Sequence, residues 1–453
     1  MVKQKRLFVA SCLALIATSM AFSIRADIIP ALKVDFSFTD TQMGVVAGPG
    51  LWGFAITIVL GGMLVDVLGM GTLMALAFVG HVAGVLLTIF ATGFQSLYFA
   101  TLLIGLANGT VEAVINPLTA TLYSDSKTKH LNMLHAWWPG GLIVGGLMGY
   151  GITKIMGLDA PDVTVAVLSM GWKIKMALIL VPTLIYGFLL FGQPFPKTER
   201  VAAGVSNKEM FSQALHPLFI LFAVLMMMTA AAELGPDQWV GNLLQKLVGI
   251  QGVLLLVYTA GIMFVLRHFF SGPLIQKMNP LGVLVFASLL TALGLYWLSF
   301  STSAFMVLLA ATIFGIGKTY FWPTMLGVVA ERFPKGGALL LGLMGGAGMF
   351  SVGWLATPIM GAIQDHYAVQ ALSPEVQERV VSHGGIDERK VMEVKEPAVR
   401  QEIEQAEQHS AAMTYRWISL VPAILTIVFF LLFFSFRQRG GYQVIHLEKN
   451  NRV

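Results

Sequence analysis

Glu112 stands in the middle of an apolar run, residues 97–123, with Asn108 four residues before it and Asn116 four after. On a helix that spacing stacks the three polar side chains along one face, while valine, isoleucine and leucine cover the rest. Taking an ionised carboxylate out of water at that depth costs about 2.5–3.5 kcal/mol on insertion scales, so the face must turn toward something wetter than lipid. The chemistry open to it is reversible protonation or the binding of a polar solute. The pattern also recurs farther along the chain. Gly109, Glu112, Pro117, Asp125, Lys129 and Gly140 fall opposite Gly315, Lys318, Pro323, Glu331, Lys335 and Gly346 at a constant offset of 206 positions. The carboxylate thus has a cationic counterpart, Lys318, as a coupling partner or as a structural ion-pair mate.

Other apolar runs carry groups of the same kind. Asp27 lies near the end of the first. Glu233 and Asp237 flank Gly235 and Pro236, a pair that breaks a helix and frees carbonyls that a membrane tolerates only against protein or water. These two acids are therefore candidates for a gate or the edge of a site. Gln238 and Asn242 share a helical face, as do Lys318 and Trp322. Amides pair with hydroxyls while an indole face stacks on C–H groups, a combination suited to a sugar. His135 and Trp138 extend this set, and Asp66 is a gating candidate. Arg25, two residues from Asp27 and so on another face, is expected to snorkel to the outer interface, and Arg267 and His268 are expected to anchor on headgroups.

The elements that must position these groups follow from composition. Of 453 residues 56% are hydrophobic and 12% charged, with a mean hydropathy of +0.75, which marks an integral membrane protein. Apolar windows long enough to cross about 30 Å of hydrocarbon occur near 7–31, 43–65, 70–92, 97–123, 132–156, 174–192, 214–234, 251–271, 281–300, 304–330, 338–363 and 415–436. Twelve helices are predicted. The polar stretch 193–213 separates six spans from six, giving bundles over 1–192 and 214–453 joined by a cytoplasmic linker. The 47 glycines concentrate inside the windows, where small residues let helices approach closely in lipid.

The formal charge of +5 would suggest nucleic acid in a soluble chain. Here Lys3, Lys5, Arg6, Lys127, Lys129, Lys197, Arg200, Arg332 and Arg437 fall in alternate loops, which places both termini in the cytoplasm by the positive-inside rule. The large exception, 366–413, has nine acidic and five basic residues and is predicted as a polar extracytoplasmic loop. Removing MVKQKR and the following run as a signal peptide would leave an odd number of spans, so it is kept as the first span. Cys12, the single cysteine, excludes an internal disulfide and cannot alone build a metal site. No Walker loop, dinucleotide fingerprint, zinc spacing or nucleophile–base set is present, so an enzyme is not expected.

At this point the motifs resemble those of the major facilitator superfamily, over nearly the whole chain. GGMLVDVLG keeps Gly62, Asp66 and Gly69 of its loop signature but has Met70 and Gly71 where basic residues are usual, which leaves the gate salt bridge of that signature without its cation. Within the superfamily, NGTVEAVINP resembles the E-x-x-x-N-P segment of the fucose, galactose and glucose proton symporters. ADIIP around Asp27 is similar to their D-I-L-L-P, AAAELGPDQWVGNLL to their G-A-E…W segment, HLNMLHAWWPGG to their stretch beginning R-L-N, and Pro358, Gly361 and Asp365 to their P-x-x-G-x-x-x-D ending. Lys318, His135, Trp137 and Trp138 depart from that subgroup.

The resemblance implies an all-α membrane protein with twelve transmembrane helices in two pseudo-symmetric six-helix bundles, spans one, four, seven and ten lining a central cavity. It also implies that Asp27 binds the proton. The expected function is proton-coupled symport of a small polar solute, sugars first, by alternating access in the cell inner membrane. Such a carrier needs the bilayer and its solute, no metal or organic cofactor and no nucleic acid, and works as a monomer. The rival readings are a proton-coupled exporter of amphipathic or lipid-like compounds and a non-transporting membrane sensor.

Overall fold

The structure, a computed structural model, describes residues 2–36, 40–160, 162–248, 252–382, 384–386, 390–391 and 394–447; the side chains of 30, 33, 40–44, 237–248, 252–254, 256, 357–358 and 382 lie outside that description. Among the described residues ten helical stretches are long and apolar enough to cross a membrane. One of them, Val257–Leu298, holds the eighth and ninth spans, which part at Asn279, whose backbone has φ 52 and ψ 167. The Asn279 side chain accepts the free N–H groups of Leu281 and Gly282 at 3.0 and 3.1 Å and so caps the ninth span. Adding the fifth span, which breaks at Ala136 between Lys127–His135 and Trp137–Met156, completes twelve.

The other spans are the first Gln4–Phe36, second Asp40–Leu68, third Met70–Ile89, fourth Phe94–Leu122, sixth Val165–Ala177 with Leu180–Leu190, and seventh Pro217–Val248. The eighth begins at Gly252–Val265, the tenth joins Ala304–Lys318 to Phe321–Arg332, the eleventh runs from Gly337 to Ala371, and the twelfth from Pro397 to Gln438. Glycines set the closest approaches, as the small-residue argument requires. A methyl group on Gly109 would meet the Phe54 carbonyl at 2.2 Å, so only glycine lets the second and fourth spans touch backbone to backbone. Both chain ends lie on one face. Gln4 donates to the Leu122 carbonyl, and the tail after the last span returns to the end of the tenth, where Ile445 N–H bonds the Glu331 carbonyl at 2.9 Å.

Several boundaries differ from the sequence expectation. The sixth span starts nine residues early, at Val165. The twelfth starts at Pro397 and rises well beyond its apolar stretch. The predicted polar loop is largely helical, with Pro374–Val380, a two-residue hairpin pairing Val381 with Ile386, and a small core of Leu372, Val376, Val380, Val394, Ile403 and Ala406. Its apolar residues are few but recur at helical spacing, which suffices for a cap that packs upon itself.

Among the described residues six spans are interrupted along their length: the fifth at Ala136, the sixth at Leu178 and Ile179, the tenth at Thr319 and Tyr320, the twelfth at Ser419, and the eighth and eleventh by π turns at Leu266–Phe270 and Ser351–Ala356. Such turns re-aim side chains and leave backbone groups to be bonded by others.

Candidate functional site

Three of those interruptions meet at one polar chain that crosses between the bundles. Asn116 Nδ2 donates to Glu112 Oε2 at 2.9 Å and to the Glu112 carbonyl at 2.8 Å. His135 Nε2 bonds Asn116 Oδ1 at 2.8 Å, which places the hydrogen on Nε2 with the amide in this orientation. The His135 carbonyl, at the break in the fifth span, accepts from Arg267 Nη1 at 3.1 Å. Arg267, in the π turn of the eighth span, reaches the Thr319 carbonyl through Nε at 2.5 Å and Glu233 Oε1 through Nη2 at 2.7 Å. Glu233 Oε2 then accepts the Trp322 N–H at 3.2 Å. That N–H lies in the first turn of Phe321–Arg332, where helix donors are free and the dipole favours an anion.

All of these side chains are buried: Glu112 3% exposed, Asn116 2%, His135 2%, Glu233 3% and Arg267 2%. Their charges are not balanced alike. Arg267 neutralises Glu233. Glu112 makes no ion pair among the described residues, and its hydrogen-bond partner is an amide. Lys318, wholly buried, holds its ammonium 4.9 Å from the centre of the Phe314 ring and forms no ion pair with Glu112. The two repeat counterparts therefore act separately.

The polar face read on the fourth span divides. Each i+4 step turns about 40°, so Asn108 and Asn116 diverge by about 80°. Asn108 points into its own bundle, with Oδ1 2.7 Å from His81 Nε2, whose Nδ1 lies 3.0 Å from the Tyr186 hydroxyl. Asp27 is also apart from the chain of bonds: its carboxylate takes Lys175 at 2.6 Å and is 35% exposed. Trp138 stacks obliquely on Phe22 at 5.4 Å, and Trp322 packs over Gly345 and Gly348. The side chains of Asp237, Gln238, Trp239 and Asn242 lie outside the described residues.

Two arginine expectations are corrected. Arg267 does not reach a headgroup; the π turn swings it inward, where three acceptors take it. Arg25 does not snorkel either: it lies against Gly50 with Nη2 buried. Neither outcome had a signal in local sequence, because Arg267 depends on acceptors brought by other spans and Arg25 on the bare backbone of Gly50 in the second.

Toward the face with the termini the bundles are tied together. Lys127 pairs with Glu199 at 2.5 Å and reaches the Ala330 carbonyl at 3.3 Å. Thr128 gives its N–H and hydroxyl to Glu331 at 3.1 and 2.7 Å, and Asn132 donates to Thr324 at 3.2 Å. A methyl on Gly62 would meet the Ala338 carbonyl at 2.7 Å, so the second and eleventh spans also touch here. Asp66 does have a cation. Linker Arg200 holds it at 2.6 Å, with both side chains 5% exposed or less, and Thr198 adds a bond at 2.5 Å. Among the described residues, hydrogen bonds between the bundles run from the central chain toward this face and not beyond it.

The family model described as Major Facilitator Superfamily matches residues 7–358. Similar solved structures include the E. coli fucose:proton symporter, at 15% identity over 92% of this chain and 98% of that one with a TM-score of 0.66. A proton:xylose symporter bound to 6-bromo-6-deoxy-D-glucose matches at 12% identity over 94% and 95%, TM-score 0.70. A nucleoside transporter matches at 13% over 95% and 99%, TM-score 0.56. At these identities the likeness carries the fold. No curated protein sequence matches the chain.

Proposed function

The chain belongs to the major facilitator superfamily, and from that premise we propose that it carries a small polar solute, a sugar or sugar-like molecule, across the inner membrane together with a proton. It is a multi-pass membrane transporter and not an enzyme. The observation that supports proton coupling is Glu112: a buried carboxylate with an amide for a neighbour, at the end of a hydrogen-bond chain that enters the opposite bundle. Ionised and dry, such a group costs several kcal/mol, whereas its protonated form carries no charge and can donate a hydrogen bond. Proton arrival and departure at Glu112 would therefore change what Asn116 and His135 can hold, and with them the contact to Arg267.

Glu233 with Arg267 fixes the C-terminal side of the site. Trp322 and Trp138 would stack on the solute, with Lys318, Gln238 and Asn242 as polar contacts, and Asp27 and Asp237 toward the mouth. The bonds on the terminal face favour a state closed to the cytoplasm, with both termini there. One coupled charge gains about 2.3 kcal/mol per 100 mV, close to forty-fold accumulation. The names of the similar structures, symporters of fucose and xylose and a nucleoside transporter, support hydroxyl-rich solutes as the first to try. Purified protein in vesicles loaded with a pH-sensitive dye tests the reading: adding the right sugar outside should acidify the lumen. Solute uptake with no proton movement would overturn it.

A further inference from the structure

We propose that a single monovalent anion the size of chloride binds inside the N-terminal bundle against Arg25. The guanidinium leaves the first span and lies against Gly50 of the second, so close that a Cβ there would fall 1.8 Å from Nη1. It also sits 5.5 Å from the centre of the Phe22 ring. Nη2 is buried with no hydrogen-bond partner, and no described carboxylate forms an ion pair with this side chain. The nearest acids in sequence are engaged elsewhere: Asp27 holds Lys175 at 2.6 Å, and Asp35 accepts from the Trp172 indole at 2.8 Å.

The Arg25 side chain is half-buried with Nη2 withdrawn from solvent; a guanidinium keeps its charge in proteins, and drawing it out of water without a counter-charge is unfavourable. A cavity opens beside it, lined by Arg25 and Thr101 among aliphatic neighbours such as Ile28, Leu97 and Ile104. It admits the centre of a water-sized sphere over about 20 Å³, more than the roughly 10–15 Å³ that one water needs. That space is too small for a sugar or a lipid headgroup. A water would complete the hydrogen bond but leave the charge unbalanced, whereas a halide supplies both in one sphere. The site lies within one bundle and is independent of the solute assignment above.

The test is thermal unfolding of purified protein in chloride, bromide or gluconate at equal ionic strength, together with crystals grown in bromide. The expected result is a melting temperature that rises saturably with chloride and bromide but not with gluconate, and a bromide anomalous peak at Arg25 Nη2. R25M should melt alike in all three salts. Equal melting of the wild type in all three, a chloride response that survives in R25M, or water alone at Nη2 would overturn the proposal. Should R25M fail to fold, the bromide map of the wild type decides alone.

Discussion

Arg267 and His135 meet across the two bundles: the Arg267 Nη1 donates to the His135 carbonyl at 3.1 Å while the same guanidinium holds Glu233 at 2.7 Å. One side chain thus ties the break in the fifth span to the seventh and, through Thr319, to the tenth. Any movement that separates the bundles must release the His135 bond but can keep the ion pair, because Arg267 and Glu233 belong to the same bundle.

Removing one partner of that ion pair leaves a buried charge alone, at a cost of about 3–5 kcal/mol. R267M should therefore lower the melting temperature sharply, and R267M with E233Q should recover most of the loss. Both variants should fail to transport. If the double variant melts no higher than R267M, the pair is not the source of the stability.

Glu112→Gln keeps the shape and the bond from Asn116 but cannot exchange a proton. Uphill uptake driven by a pH gradient should vanish, while solute exchange across the membrane at equal pH persists. Equal pH-driven accumulation by mutant and wild type would remove Glu112 from the coupling role.

Asp66 and Arg200 join the second span to the linker in a buried pair. D66N or R200Q should weaken closure of the terminal face and cut transport, and the charge-reversed double variant D66R/R200D should restore part of it. Uptake rates of the three variants decide this. If D66R/R200D is no better than the singles, the residues act through other partners.

Twelve spans and the burial of Glu112 inside the fourth were legible because each rests on composition or periodicity within the chain. Partners were not. Asn108 shares a helical stripe with Glu112 on paper, yet the drift of 3.6-residue turns carries it to His81. Arg267 reads as an interface anchor because nothing local announces a π turn. Asp66 lacks a basic neighbour in sequence, and its cation comes from 134 positions away. The cap near Val376 and Ile403 was hidden because polar residues outnumber the apolar ones that form its core.

Glu331 offers a last test, because its burial at 4% exposure is offset by donors from two places. Thr128 supplies two hydrogen bonds across the bundles, and Tyr442 in the tail donates a third at 2.7 Å. Burial, and then the charge of Glu331, pushes the Tyr442 phenol well above its ordinary value of 10.0. Its folded state thus favours the neutral form, so its contribution is complete below pH 10 and is lost as pH rises from there toward the folded value. Y442F should lower stability by about 1–3 kcal/mol at neutral pH, since one donor to a buried carboxylate is gone. Between pH 9 and roughly 11 the wild type should lose melting temperature faster than Y442F, so that the two curves converge. Parallel curves across that range would mean that Tyr442 does not hold Glu331 in the folded protein.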